Sequence, residues 1–239
     1  MRKIVTQIGS LPLENVGEAV AYSLRHDIPF LPELPKKGDA MLNYIKNPGN
    51  LSCLAEFKKH EYDTVKIQCV GPATLMLAGY EEHDAVLRIT EHINVVINGL
   101  KAQDVILFLD EPALGQSGIN YDEVWQLIFL FSSSKAKKEL NAKLISGVHV
   151  CGNMDWDKLF NSNVEIISFD ASQFDITKYP KYRSGKRIAW GVNEKKDVRD
   201  FRQGDLVTLP CGMGTKLYKP EDCEKMLVKL DKIAGDIDA

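Results

Sequence analysis

"DVILFLDE", Asp104 to Glu111, sets five consecutive apolar residues between carboxylates. A half-exposed strand alternates apolar and polar positions. A run that is apolar throughout belongs to a strand covered on both faces, as in a parallel sheet flanked by helices. Seven other short runs share this character: "KIVTQIG" (3–9), "IPFLPE" (28–33), "TVKIQCVG" (64–71), "KLISGVHVC" (143–151), "VEIISFDA" (164–171), "RIAWGV" (187–192) and "LVTLPCG" (206–212). Helical patterns lie between them. Residues 81–102 carry Val86, Ile89, Ile93 and Ile97 on one face. Residues 120–140 place Val124, Leu127 and Ile128 inward and end in basic residues, and 219–234 opens with Pro220 and acids.

Eight such runs alternating with helices predict an α/β fold, a (β/α)8 TIM barrel, with residues 1–239 as a single catalytic domain. The rival is a doubly wound open sheet. It gains no support, because "IGSLPLENVG" (8–17) lacks the G-x-G-x-x-G phosphate loop.

Composition narrows the function. A net charge of −3 speaks against a nucleic-acid partner or an anionic membrane surface. No apolar run approaches the ~20 residues of a membrane span. The opening "MRKIVTQIGSLPLENVGEA" has no apolar signal core, so a cytoplasmic location is expected. Five irregularly spaced cysteines suit a reducing compartment better than a disulfide framework. Cys53 and Cys69 read as small core residues and Cys223 as incidental to its helix.

In a barrel, chemistry gathers where strands end at their C-termini. Those ends carry Gly9 and Ser10, Glu33, residues 71–74, Asp110 and Glu111, His149 and Cys151, Asp170, residues 191–193, and Cys211 with Gly212. A strand has a period of two, so His149 and Cys151 in "GVHVCGN" (147–153) face the same side. Cys211 and Asp170 project at the same rim from other strands. Imidazole, two thiolates and a carboxylate are what zinc accepts, and ligands spread over several strand ends suit a catalytic rather than a structural ion. Glu33, Asp110 and Glu111 add acidic groups, fit to hold a substrate ammonium, move a proton or cap the following helix. His26, His60, His83 and His92 lie in helical or charged surroundings and are expected at the surface.

Taken in order, "TQIGSLP" (6–12), "VGPATL" (70–75), "LDEPALGQ" (109–116), "GVHVCGN" (147–153), "ISFDAS" (167–172) and "TLPCGMGTK" (208–216) resemble the catalytic domain of cobalamin-independent methionine synthase. They are also similar to the wider superfamily of uroporphyrinogen decarboxylase and the corrinoid-dependent methyltransferases of methanogens. The resemblance runs from the first strand to the last. It implies a zinc-dependent thiol methyltransferase corresponding to the catalytic half of the longer enzyme, without its N-terminal half. The family's metal ligands fall on His149, Cys151, Asp170 and Cys211. Its grip on the amino-acid substrate falls on Ser10, Glu33 and Asp110. His149, Cys151, Cys211 and Asp110 would carry the catalysis, with homocysteine as the acceptor.

The departures bear on the methyl donor. The acidic ligand of the family is usually glutamate, and Asp170 is one methylene shorter. The tryptophan that receives folate is missing from "LMLAGY" (75–80), and the proton-donating histidine from "GVNEKKDV" (191–198). A methylated corrinoid, presented by a partner protein, is therefore the expected donor rather than methyl-tetrahydrofolate. Three alternatives stay open: a corrinoid-dependent enzyme acting on another thiol such as coenzyme M, a uroporphyrinogen decarboxylase-like lyase, and a non-catalytic zinc- or corrinoid-binding module. The lyase would want arginines at the rim, and Arg2, Arg25, Arg88, Arg183, Arg187, Arg199 and Arg202 mostly lie elsewhere.

Overall fold

The computed structural model describes residues 4–116 and 121–237. Lys3 and Asn120, the first residues of two expected elements, and Arg2 lie outside them. The strands are β1 (Ile4–Val5), β2 (Tyr62–Val70), β3 (Ala102–Asp110), β4 (Lys143–Val150), β5 (Ile166–Asp170), β6 (Arg187–Gly191) and β7 (Leu206–Thr208). The α-helices are α1 (Val16–Ser23), α2 (Met41–Lys46), α3 (Leu54–Phe57), α4 (Pro72–Leu77), α5 (Glu82–Ile97), α6 (Asp122–Leu140), α7 (Trp156–Asn161) and α8 (Asp222–Ile237). Among the described residues, seven of the eight runs contain a strand, and every strand pair is parallel.

The closed eight-stranded barrel expected from the sequence is not what forms. Seven strands make one open sheet in the order β1-β7-β6-β5-β4-β3-β2, with β1 and β2 at its edges. The eighth run, 28–33, is not a strand; it forms isolated bridges, Phe30 with Lys66 of β2 and Glu33 with Ser10 beyond the end of β1. Its composition explains this. Pro29 and Pro32 each remove a backbone donor, so no continuous ladder can run along either side. The sheet is nevertheless curled. The same segment donates to β2 through Leu31 N–H (to Lys66 O, 2.9 Å) and reaches the β1 side through Ile28 N–H (to Val5 O, 3.1 Å) and Glu33 N–H (to Gly9 O, 2.8 Å).

The curl separates two apolar regions. The larger lies between the sheet and the helices; Ile89, Ile93, Ile128, Leu227 and Leu230 are buried there. The smaller comprises Ile28, Ile106, Phe108, Ile145, Ile166, Ala189 and Leu206, drawn from alternate positions on the concave face. Gly147 is part of that fit. A Cβ at this position would lie 1.9 Å from the Phe108 ring, so only glycine lets the ring fill the interior. Along the same face, toward the C-terminal strand ends, side chains turn polar: Lys66, Gln68, Asp110, His149 and Ser168 are all buried. The apolar cluster floors a polar layer, and that layer is where the site lies. Among the described residues, no helix is long and apolar enough to cross a membrane.

Candidate metal and substrate site

Strand register builds the centre of the site. β3, β4 and β5 place Asp110, His149 and Ser168 abreast. Alternation brings Cys151, just past β4, to the side that His149 occupies. Cys211 arrives from the loop after β7. His149 Nε2 lies 3.1 Å from Cys151 Sγ, which lies 4.0 Å from Cys211 Sγ. One ligand atom from each of the three residues falls within 4.8 Å of the others. A tetrahedral zinc ion would hold two sulfurs about 3.8 Å apart, and a nitrogen and a sulfur about 3.5 Å apart, so this donor set fits. The other ring nitrogen, Nδ1 of His149, is 2.9 Å from Ser168 Oγ, an arrangement that aims Nε2 at the sulfurs.

The thiols differ in ionisation. Hydrogen bonding from Cys151, and then from His149, pushes the Cys211 thiol down to about 4. Cys151 is pushed up by supplying that hydrogen and by its burial.

Asp170 ends β5 but stays apart from this trio. Its carboxylate accepts from Ser172 N–H (3.0 Å), Ser172 Oγ–H (2.6 Å) and the Gln173 amide, closing a turn in its own loop. The structure thus brings together three of the four expected ligands. Glu111 is likewise occupied. It accepts from Ala73 N–H (3.0 Å), Thr74 N–H (2.9 Å), the Thr74 hydroxyl (2.9 Å) and Trp125 Nε1–H (3.0 Å), tying the start of α4 to α6.

Asp110 differs from both. It is 1% exposed, and neither carboxylate oxygen has a hydrogen-bond partner among the described residues. Burial pushes its carboxyl up, against the opposing pull of His149 and Lys66. Glu33, 3% exposed, is pushed up to about 8 by burial and by the Asp110 charge, with Lys66 and Gln68 acting the other way. Lys66 is fully buried and pushed down to about 8 by that burial, against the attraction of Asp110 and Glu33. Buried charge this poorly paired costs stability, and it is the usual mark of a functional site.

Ser10 joins two parts of the rim. Its backbone bridges Glu33, its carbonyl accepts from Met213 N–H (2.8 Å), and its hydroxyl accepts from Gly214 N–H (3.4 Å) in the loop that carries Cys211.

The sequence reading passed over Lys66, Gln68 and Ser168. The signal was present for the first two. In "TVKIQCVG" polar residues occupy alternate positions of an otherwise apolar run, which marks one face of the strand as lining a polar interior. His26 and His92, expected at the surface, are buried. His26 lies edge-on to Tyr22 and Phe30, and His92 stacks on Tyr44; neither joins the cluster. Cys53 and Cys69 are buried free thiols. Arg183, the one buried arginine among the described residues, is bound to Asp205, away from the cluster.

No protein-family model and no curated protein matches the chain. Among solved structures, a methyltransferase from Methanosarcina mazei aligns with 89% of this chain and 71% of its own, at 13% identity and a TM-score of 0.48. A likeness of that degree leaves the activity to be read from the site itself.

Proposed function

We propose that the chain is a zinc-dependent methyltransferase that moves a methyl group to a thiol, with homocysteine as acceptor and a methylated corrinoid, presented by a partner protein, as donor. The observation that carries this reading is the convergence of His149 Nε2 and the sulfurs of Cys151 and Cys211 within 4.8 Å. These three residues would hold the ion, and three protein ligands leave a place for an incoming sulfur. What zinc supplies at such a site is the thiolate form of the acceptor at neutral pH, where a free thiol with a pKa near 8.5 is mostly protonated.

The chain's own residues do the rest. Ser168 fixes the His149 ring. Asp110 and Glu33 offer buried carboxyl groups to the acceptor's amino group, and Ser10, whose backbone bridges Glu33, would hold its carboxylate. An acceptor without an amino group, such as coenzyme M, would add no positive charge beside the two carboxyls, leaving buried Lys66 as the cation they share, which favours the amino thiol. The donor assignment rests on the missing tryptophan and histidine, since transfer from a corrinoid needs no proton delivered to a leaving folate nitrogen.

Two measurements test the reading. Metal analysis of the purified, reduced protein should find about one zinc per chain, and Cys211→Ala should lose it. Methyl transfer to homocysteine should proceed from methylcobalamin. A metal-free native protein would sink the metal assignment, and turnover with methyl-tetrahydrofolate alone would sink the donor assignment.

A further inference from the structure

Gln68 sits on β2, two residues beyond Lys66 on the same face. Its side-chain oxygen accepts from Gly9 N–H at 2.7 Å and from the Lys66 ammonium at 2.8 Å. Both partners are donors only, so the oxygen must be the end that faces them and the amide cannot be turned over. Its NH2 end is thereby aimed the other way, where Nε2 donates to Glu33 Oε1 at 3.3 Å. Gly9 makes room for this. A Cβ there would lie 2.9 Å from Gln68 Cδ and 2.9 Å from Leu31 O.

Lys66 has one further hydrogen bond, to Gln7 O at 3.1 Å, and makes no ion pair with a described residue. A purely structural pairing would set the buried ammonium directly on the nearby carboxylate. Here a neutral amide is interposed. It holds one oxygen of Glu33 in place and leaves the carboxyl without a direct ion pair, so that a cationic ligand can take that position.

We propose that Gln68, anchored by Lys66 and Gly9, is a positioning residue that holds the Glu33 carboxylate ready for the amino group of the acceptor thiol. This rests on the reading of Glu33 and Asp110 given under the proposed function. It adds a residue that no family motif in the chain includes, and it makes selectivity for amino-bearing thiols depend on a side chain that does not itself meet the amino group.

The test is calorimetric binding of two probes to the full, zinc-loaded chain: homocysteine, and the same mercapto acid without its amino group. The native protein should bind homocysteine at least roughly tenfold more tightly than the desamino probe. Gln68→Met removes the donor and the anchor. Gln68→Asn keeps the amide chemistry but is too short to span Gly9 and Glu33 together. Either variant should bring the two affinities within about threefold of each other, with zinc content and the desamino probe's affinity unchanged. The Asn variant carries the test if the Met variant does not fold. Native preference retained in the variants would overturn the positioning role alone. A native protein that does not prefer homocysteine would overturn the amine reading of Glu33 and Asp110, and this proposal with it.

Discussion

Replacing Glu33 by glutamine should make the protein more stable near neutral pH, although it removes a residue of the proposed site. The carboxyl is buried and its pKa stands at about 8, against an ordinary value of 4.5. Because the folded value is the higher one, the stability tied to the protonated form is fully present below 4.5. It is lost as pH rises toward 8, because the unfolded chain releases its proton first. Each pH unit costs about 1.4 kcal/mol, so the whole interval of about 3.5 units corresponds to about 5 kcal/mol. Glutamine is uncharged, nearly the same shape, and can still accept from Gln68 Nε2. It gives up the attraction to Lys66, which leaves a net gain on the order of 3 kcal/mol at about pH 7.5, shrinking to under about 1 kcal/mol near pH 5. Urea unfolding of native and variant protein at the two pH values measures the difference through the midpoints. Equal stability at both, or a variant uniformly weaker than the native chain, would refute the assignment of a strained, buried carboxyl to Glu33.

Two buried histidines outside the cluster act in the opposite direction. His26 and His92 are each pushed down to about 4 by burial, from 6.5. Their folded values lie below the unfolded one, so their contribution is intact above 6.5 and lost as pH falls toward 4, by about 3 kcal/mol each. A thermal midpoint that falls steeply in this window, and less steeply in His92→Gln, is the expected outcome. Ser168→Ala should weaken zinc binding by roughly tenfold or more while leaving the fold intact, as read by competition with a chelating dye. Gly147→Ala should destabilise the protein by about 2 kcal/mol or more, since the new methyl group meets the Phe108 ring; a chemical denaturation curve unchanged from native would count against this account of the interior.

Much of the architecture was legible because burial on both faces leaves a local mark. Seven of the eight all-apolar runs became strands, and the runs 81–102, 120–140 and 219–234 contain most of α5, α6 and α8. Sheet closure was not legible from periodicity. The run 28–33 has the apolar content of a strand, but Pro29 and Pro32 deprive it of donors, and whether a segment bonds to two neighbours depends on what those neighbours offer. The distinction among Asp110, Glu111 and Asp170 was also hidden. All three are acids at strand ends. One caps a helix, one closes its own turn, and one is left buried with no hydrogen-bond partner among the described residues.

By itself the sequence determined much of what is local: seven of the strands, the three longest helical stretches, and, through a period of two, that His149 and Cys151 share a side. Only the tertiary structure decided the rest, because it depends on contacts between residues far apart in the chain. Cys211 meets Cys151 across 60 positions, and Lys66 and Gln68 meet Gln7 and Gly9 across 59. Such meetings are set by how the sheet curls and registers its strands, and no short window of residues encodes that.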